Sequence, residues 1–213
     1  MADAPRTPDL AALHRLAYAQ DGLFTSRQAL SCEISAQLLS HHARTGRFER
    51  VRRGLYRLAD YPAGEHAAIR AAWLAVGAHR AVVSHQSALA LHGLLDTPTA
   101  TVHLLVSRRH RGIRPPPGVT LHTARETIPA HDIVERHGMR VCAPARAIVE
   151  TAGSGAGVHA LAGAIAEALR QGRTNPVQIA EHAALSGKHV AGAIRCAFEY
   201  QASEGGAHAG RSA

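Results

Sequence analysis

Residues 10–58 constrain the fold more than any other part of the sequence. Their apolar and turn residues predict a helix, a short second helix, a third helix and then a hairpin. The third helix and the hairpin hold six arginines and one acidic residue, Glu49. The arginines are Arg44, Arg47, Arg50, Arg52, Arg53 and Arg57. This layout predicts a winged helix-turn-helix, in which one helix enters a DNA major groove and a basic hairpin lies along the phosphates.

Capping and stop residues set the limits of these helices. Asp21-Gly22 is expected to end the first helix, whose apolar residues recur at helical spacing. Thr25 or Ser26 can cap the short second helix. Ser35 is the expected cap of the third helix, over residues 36–45.

The third helix is expected to have two contrasting faces. At helical spacing, the side chains that would face the core are Leu38, Leu39, and His42 or Ala43. The side chains that would face outward are Gln37, Ser40, His41 and Arg44. All four outward residue types can hydrogen-bond base edges or phosphates, which makes this the expected recognition helix.

Two short strands are expected after this helix, joined by a turn at Arg52-Arg53-Gly54, where glycine allows a positive φ. The predicted DNA-binding residues of helix and hairpin are Gln37, Ser40, His41, Arg44, Arg47, Arg50, Arg52, Arg53 and Arg57. The competing interpretation is a solvated charged loop on an ordinary helical domain. A basic hairpin directly after a third helix favours DNA binding.

The rest of the chain predicts a second domain, so the fold class is mixed α+β: a winged helix-turn-helix followed by a mixed domain that ends in helices. Apolar runs predict a helix over residues 65–77 and strands at residues 81–83, 101–106, 119–123, 132–134 and 139–141. We expect a DNA-binding domain, a second domain and a disordered tail at residues 1–62, 63–202 and 203–213.

A basic, proline-rich loop is expected between two of these strands. Three consecutive prolines at residues 115–117 exclude a helix or a central strand there. The arginines that precede them are Arg108, Arg109, Arg111 and Arg114. They could form a second nucleic-acid contact, a loop that docks a partner, or only a solvated turn.

Three groups of residues, in order along the chain, form motifs of a known family. The first comprises residues 22–25 with 29–30, 38–39, 46–51 and 54–58; the second is residues 83–94; the third is residues 128–132 leading into 144–150. Together they cover about residues 8–172 and resemble AbiEi-type antitoxins. Cys32 and Glu33 depart from the family, which usually has a small residue where the second helix meets the third.

The resemblance implies a transcriptional regulator that binds inverted repeats in double-stranded DNA at its own promoter and represses a toxin–antitoxin operon. It also implies a nucleotidyltransferase-like toxin as functional partner, counteracted without a stable complex. The oligomeric state stays open, including a monomer that binds cooperatively. The runner-up is a general nucleic-acid-binding, non-catalytic relative of longer AbiEi-like proteins that continue into a nuclease domain.

Composition agrees with a nucleic-acid partner. The net charge of +8 indicates a polyanion but does not choose among DNA, RNA and a membrane surface. No apolar run approaches the ~20 residues needed to span a bilayer, and no signal peptide opens the chain. A cytoplasmic protein without a membrane partner is therefore expected.

Catalytic, cofactor and metal sites are not expected. The acidic residues are dispersed, no Gly-rich phosphate loop occurs, and three scattered cysteines form no CxxC pair. His85 and His92 are seven residues apart on one helical face, but no Asp, Glu or Cys joins them at ligand spacing. An enzyme that uses these two histidines and a carboxylate at a metal is the third interpretation.

Overall fold

The computed structural model describes residues 7–95 and 100–209. Contacts between residues divide the chain into two compact units, residues 1–79 and 80–213. The winged helix-turn-helix followed by a sheet domain and helices confirms the mixed α+β fold class.

The N-terminal unit contains four helices and three strands among its described residues: α1 (Leu10–Tyr18), β1 (Leu23–Thr25), α2 (Ser26–Ser31), α3 (Ala36–Arg44), β2 (Phe48–Arg52), β3 (Leu55–Leu58) and α4 (Ala67–Val76). The first three helices begin where side chains satisfy free backbone N–H groups. Thr25 and Gln28 form a reciprocal capping box on α2, and the Ser35 side chain accepts from the Leu38 N–H on α3. The predicted caps are thus confirmed, with Thr25 rather than Ser26 capping α2.

Strand β1 was not predicted as a strand. Its three residues pair antiparallel with β3, and the sheet order is β1-β3-β2. A run of three residues is too short to show the periodicity of a strand. The strand forms because β3, which is distant in the sequence, pairs with it. The sheet buries Phe24 and Phe48 with Leu13 in one core.

The turn between α2 and α3, where the sequence departs from the family pattern, is formed by a left-handed residue. Glu33 has φ of 60°, its N–H donates to the Leu30 carbonyl, and the Ile34 N–H donates to the Ala29 carbonyl. These bonds satisfy carbonyls at the end of α2. The turn is therefore made without a small residue at Cys32 or Glu33.

Helix α4 belongs to the N-terminal unit, so the predicted boundary after Pro62 lies inside that unit. Arg70 of α4 places its Nε 2.5 Å from Asp21 Oδ2, and α4 contacts β1 and β3. Residues 60–64, which span the predicted boundary, lie between the wing and this helix. The local sequence did not reveal that the following helix packs back onto the same unit.

Among its described residues, the C-terminal unit contains a five-stranded sheet followed by four helices. Its elements are β4 (Ala81–Val83), α5 (His85–Leu91), β5 (Val102–Val106), β6 (Val119–Thr123), β7 (Ile133–Arg136), β8 (Met139–Cys142), α6 (Pro144–Gly153), α7 (Val158–Arg170), α8 (Pro176–Ser186) and α9 (Lys188–Ala209). The strand order is β6-β5-β4-β8-β7, with β5 parallel to β6 and β4 parallel to β8.

Two predictions for this unit need correction. The strand predicted from Asp132 begins one residue later, because Ala130–Asp132 forms a 3₁₀ turn. The tail predicted to be disordered from residue 203 instead continues α9 to Ala209. Residues 210–213 lie outside the described residues.

We predict that the ion pair between Asp21 and Arg70 stabilises the N-terminal unit. Asp21→Asn keeps a residue that tolerates its φ of 53° but removes the charge facing the buried guanidinium. The free energy of unfolding should fall by on the order of 1–3 kcal/mol in urea denaturation. Asp60→Asn, at an exposed position, is the control. Equal effects of the two substitutions would contradict the assignment.

Candidate nucleic-acid interface

Helix α3 presents one polar face to solvent. Gln37, Ser40, His41 and Arg44 are all exposed, as expected from their spacing of three and four residues. On the opposite face Leu39 and His42 are buried. The α3 backbone is therefore fixed by its apolar face, and the four predicted base-reading side chains are free to contact a ligand.

His42 belongs to the core of this unit. Its ring centroid lies 5.1 Å from that of Phe48, and its side chain is only 8% exposed. Burial lowers the pKa of His42, and the charges of Arg47 and His41 lower it further. Neutral His42 packs against Phe48 on the buried face of α3, whereas its neighbour His41 lies on the exposed face.

The wing is the hairpin of β2 and β3. Gly54 has φ of 73° at its turn, and the register shifts between Arg50 and Arg52. Arg50 and Arg53 are exposed, whereas Arg52 is half-buried and its Nη1 is buried without a hydrogen-bond partner among the described residues. The wing arginines are thus not equivalent, and Arg50 and Arg53 are more accessible to a phosphate than Arg52.

Arg57 differs from the other predicted wing residues because an acid already neutralises it. Glu49 lies opposite Arg57 in the antiparallel register, and Arg57 Nη2 is 2.5 Å from Glu49 Oε2. The side chains are 24% and 53% exposed, so the pair contributes about 0–1 kcal/mol to stability. Its main effect is to reduce the free positive charge of the wing.

The second basic group lies in the C-terminal unit. Arg108 and Arg109 are in a 3₁₀ turn at Arg108–His110, and Arg111 and Arg114 follow it; all four side chains are exposed. The loop joins the parallel strands β5 and β6, a connection that needs about a dozen residues. The predicted loop and its exposed arginines are present, but their ligand stays a prediction.

A histidine cluster that sequence reasoning missed lies in the same unit. His85, His103 and His122 each place a ring nitrogen within 4.8 Å of the others. His92, which was paired with His85 in the sequence, instead has its Nε2 2.8 Å from the Cys142 carbonyl oxygen. His92 is a buried core residue whose Nδ1 has no hydrogen-bond partner among the described residues, and the partners of His85 come from two strands.

Comparison with protein families identifies the chain. Residues 12–59 match a family described as transcriptional regulator, AbiEi antitoxin, and residues 80–198 match the AbiEi antitoxin C-terminal domain. The second match alone covers more than half of the chain. The protein belongs to the AbiEi antitoxin family. This confirms the resemblance and supports an antitoxin and regulator role that includes DNA binding.

A solved structure shares the fold of this AbiEi protein. The crystal structure of the RV2827C protein from Mycobacterium tuberculosis matches with a TM-score of 0.52 at 14% identity, over 92% of this chain and 79% of that one. No curated protein sequence matches the chain. Within residues 7–95 and 100–209, no helix is both long and apolar enough to cross a membrane.

We predict that Arg53 of this AbiEi protein contacts a DNA phosphate. Arg53→Ala should make the slope of log K against log salt concentration shallower by about 0.9, the value for one lost phosphate contact. The control is the double variant Glu49→Gln, Arg57→Gln, which removes the neutralised pair without changing net charge and should leave the slope unchanged. An unchanged slope in Arg53→Ala, or an equal change in the control, would contradict the wing assignment.

We also predict that Gln37 and Arg44 read bases. Gln37→Ala or Arg44→Ala should weaken binding to the operator by about 1–3 kcal/mol and binding to random DNA by much less. Fluorescence anisotropy with both DNAs measures the difference, and Gln178→Ala, exposed on α8, is the control. Equal losses on the two DNAs would mean that these side chains do not read bases.

Proposed function

We propose that this protein represses its own toxin–antitoxin operon by binding inverted repeats in promoter DNA, and that it counteracts a nucleotidyltransferase-like toxin. The observation that carries the proposal is the exposed polar face of α3 beside an exposed basic wing. The first can supply hydrogen bonds to base edges, and the second can hold the phosphates on either side.

The charge distribution supports double-stranded DNA as the ligand. Exposed Arg47, Arg50 and Arg53 lie on the segment that follows α3. Phosphate contacts of this kind supply affinity for any sequence, whereas discrimination needs side chains in the groove. Gln37 and Ser40, which carry no charge, fit the second task, so the proposed ligand is a specific DNA site.

We assign toxin neutralisation to the C-terminal unit, since it carries the match to the antitoxin C-terminal domain. The N-terminal unit would then bind the operator and take no part in toxin neutralisation. The exposed arginines of the loop between β5 and β6 supply a further phosphate contact in this proposal. One winged helix makes few contacts, and a second basic surface raises the total affinity.

We expect that one variant can lose repression of the operon while it retains neutralisation of the toxin. A reporter fused to the upstream DNA measures repression, and growth of cells that express the neighbouring toxin measures neutralisation. The full chain should do both, whereas Gln37→Ala with Arg44→Ala should lose repression and still rescue growth. Arg195→Ala, exposed on α9, should retain both activities.

Two results would contradict this assignment. Loss of rescue in the folded α3 double variant would mean that neutralisation depends on DNA binding. Binding of equal strength to promoter and random DNA would instead favour a general nucleic-acid-binding protein. A neighbouring gene that does not encode a nucleotidyltransferase-like protein would remove the proposed toxin while leaving the DNA assignment intact.

A further inference from the structure

Three elements of the C-terminal unit bring His85, His103 and His122 together. His85 is the first residue of α5, separated from the end of β4 by Ser84 alone, and the other two lie on the neighbouring strands β5 and β6. In the parallel register His103 is opposite Thr120 and His122 is opposite Leu105. Both strand histidines therefore project from the same face of the sheet, two positions apart.

The ring geometry is compact. The centroids of His85 and His122 are 3.6 Å apart with an interplanar angle of 19°, and His103 Nδ1 is 2.9 Å from His122 Nε2. His85 is only 6% exposed, whereas the two strand histidines are half-buried. Stacked imidazoles at this separation repel one another if they are charged, so the cluster favours neutral rings.

Neutral rings are the form that binds metals. Burial, and after it the charges of His122, His103 and Arg146, together lower the pKa of His85 to about 3. Burial also lowers the pKa values of His103 and His122. Near neutral pH all three rings can offer a nitrogen lone pair without first losing a proton.

The largely buried acidic side chain of Glu150 lies close to His85. Arg146 Nε donates to Glu150 Oε1 at 2.8 Å, and Glu150 Oε2 is then 3.7 Å from His85 Nδ1. The Ser84 hydroxyl is 3.0 Å from the same nitrogen. Hydrogen-bonded groups of this kind orient a metal-ligating histidine and raise its basicity; the Ser84 hydroxyl is within hydrogen-bond distance of His85, and Glu150 Oε2 is not.

We propose that His85, His103 and His122 bind one divalent first-row transition-metal ion such as Zn²⁺, with a solvent molecule in the fourth position. Three imidazoles select metals of this class over Mg²⁺ and Ca²⁺, which prefer oxygen ligands. The half-buried strand histidines leave an approach for solvent. The three rings already bring a nitrogen each within 4.8 Å of one another, and turning towards a shared centre would bring these nitrogens towards the roughly 2.0–2.1 Å that Zn²⁺ requires.

Such an ion would have a structural consequence in this fold. β6 is an edge strand and pairs with β5 alone, whereas His85 lies at the junction of β4 and α5. A shared metal would join the edge strand to that junction. Binding to the folded state only raises stability, so the thermal unfolding midpoint should rise with metal concentration.

The test uses the full chain after dialysis against EDTA. Isothermal titration with Zn²⁺ should give one equivalent per chain, and Co²⁺ should give the visible absorption bands of tetrahedral coordination. His122→Gln, on the edge strand, should weaken Zn²⁺ binding by about tenfold or more and abolish those bands. His103→Gln is a second variant in case the first fails to fold, and circular dichroism checks both.

The control is His189→Gln, which removes an exposed histidine on α9 and should change neither stoichiometry nor spectrum. Failure of the wild-type chain to bind either ion stoichiometrically would overturn the proposal and leave a hydrogen-bonded stack of neutral histidines. Binding that survives in both folded variants, His122→Gln and His103→Gln, would overturn it as well.

Discussion

The packing of two phenylalanines holds helix α3 and the wing in one arrangement. Phe24 of β1 and Phe48 of β2 meet edge to face with centroids 5.0 Å apart, and both are almost fully buried. His42 packs on Phe48 from α3, so the helix and the wing share this core. Aromatic pairs of this kind add about 0.5–1.5 kcal/mol beyond the area they bury. Because this contact fixes which face of α3 is buried, it also fixes which face meets a ligand.

The positive charge that this surface can offer to DNA is smaller than the number of its arginines suggests. Glu49 neutralises Arg57 across the strands, while Arg53 at the wing tip stays exposed. Only uncompensated charges displace counterions from DNA in proportion to their number. The exposed polar face of α3 complements these charge contacts. Uncharged side chains there can discriminate between bases without raising the affinity for every DNA sequence. The account of specific DNA binding depends on this division between the two elements.

Local signals predicted much of the fold, and non-local contacts account for the differences. The caps at Thr25 and Ser35 and the wing turn at Gly54 depend on neighbouring residues and were predicted from them. β1 exists only because β3 pairs with it, and α4 joins the first unit through an ion pair 49 residues apart in the chain. The histidine cluster was missed for the same reason. Its members, His85, His103 and His122, meet through the parallel pairing of β5 and β6, which spacing along the chain does not reveal.

The central claim is that α3 reads a specific promoter site from the major groove. Methylation interference on the upstream DNA tests it most directly, because methylation of guanine N7 blocks the major groove. The account predicts that methylated guanines within each half of an inverted repeat prevent binding by the full chain. It also predicts that Gln37→Ala with Arg44→Ala removes this pattern and leaves only weak binding along the whole fragment. Binding that tolerates methylation at every guanine, or a pattern that the variant leaves unchanged, would contradict the account.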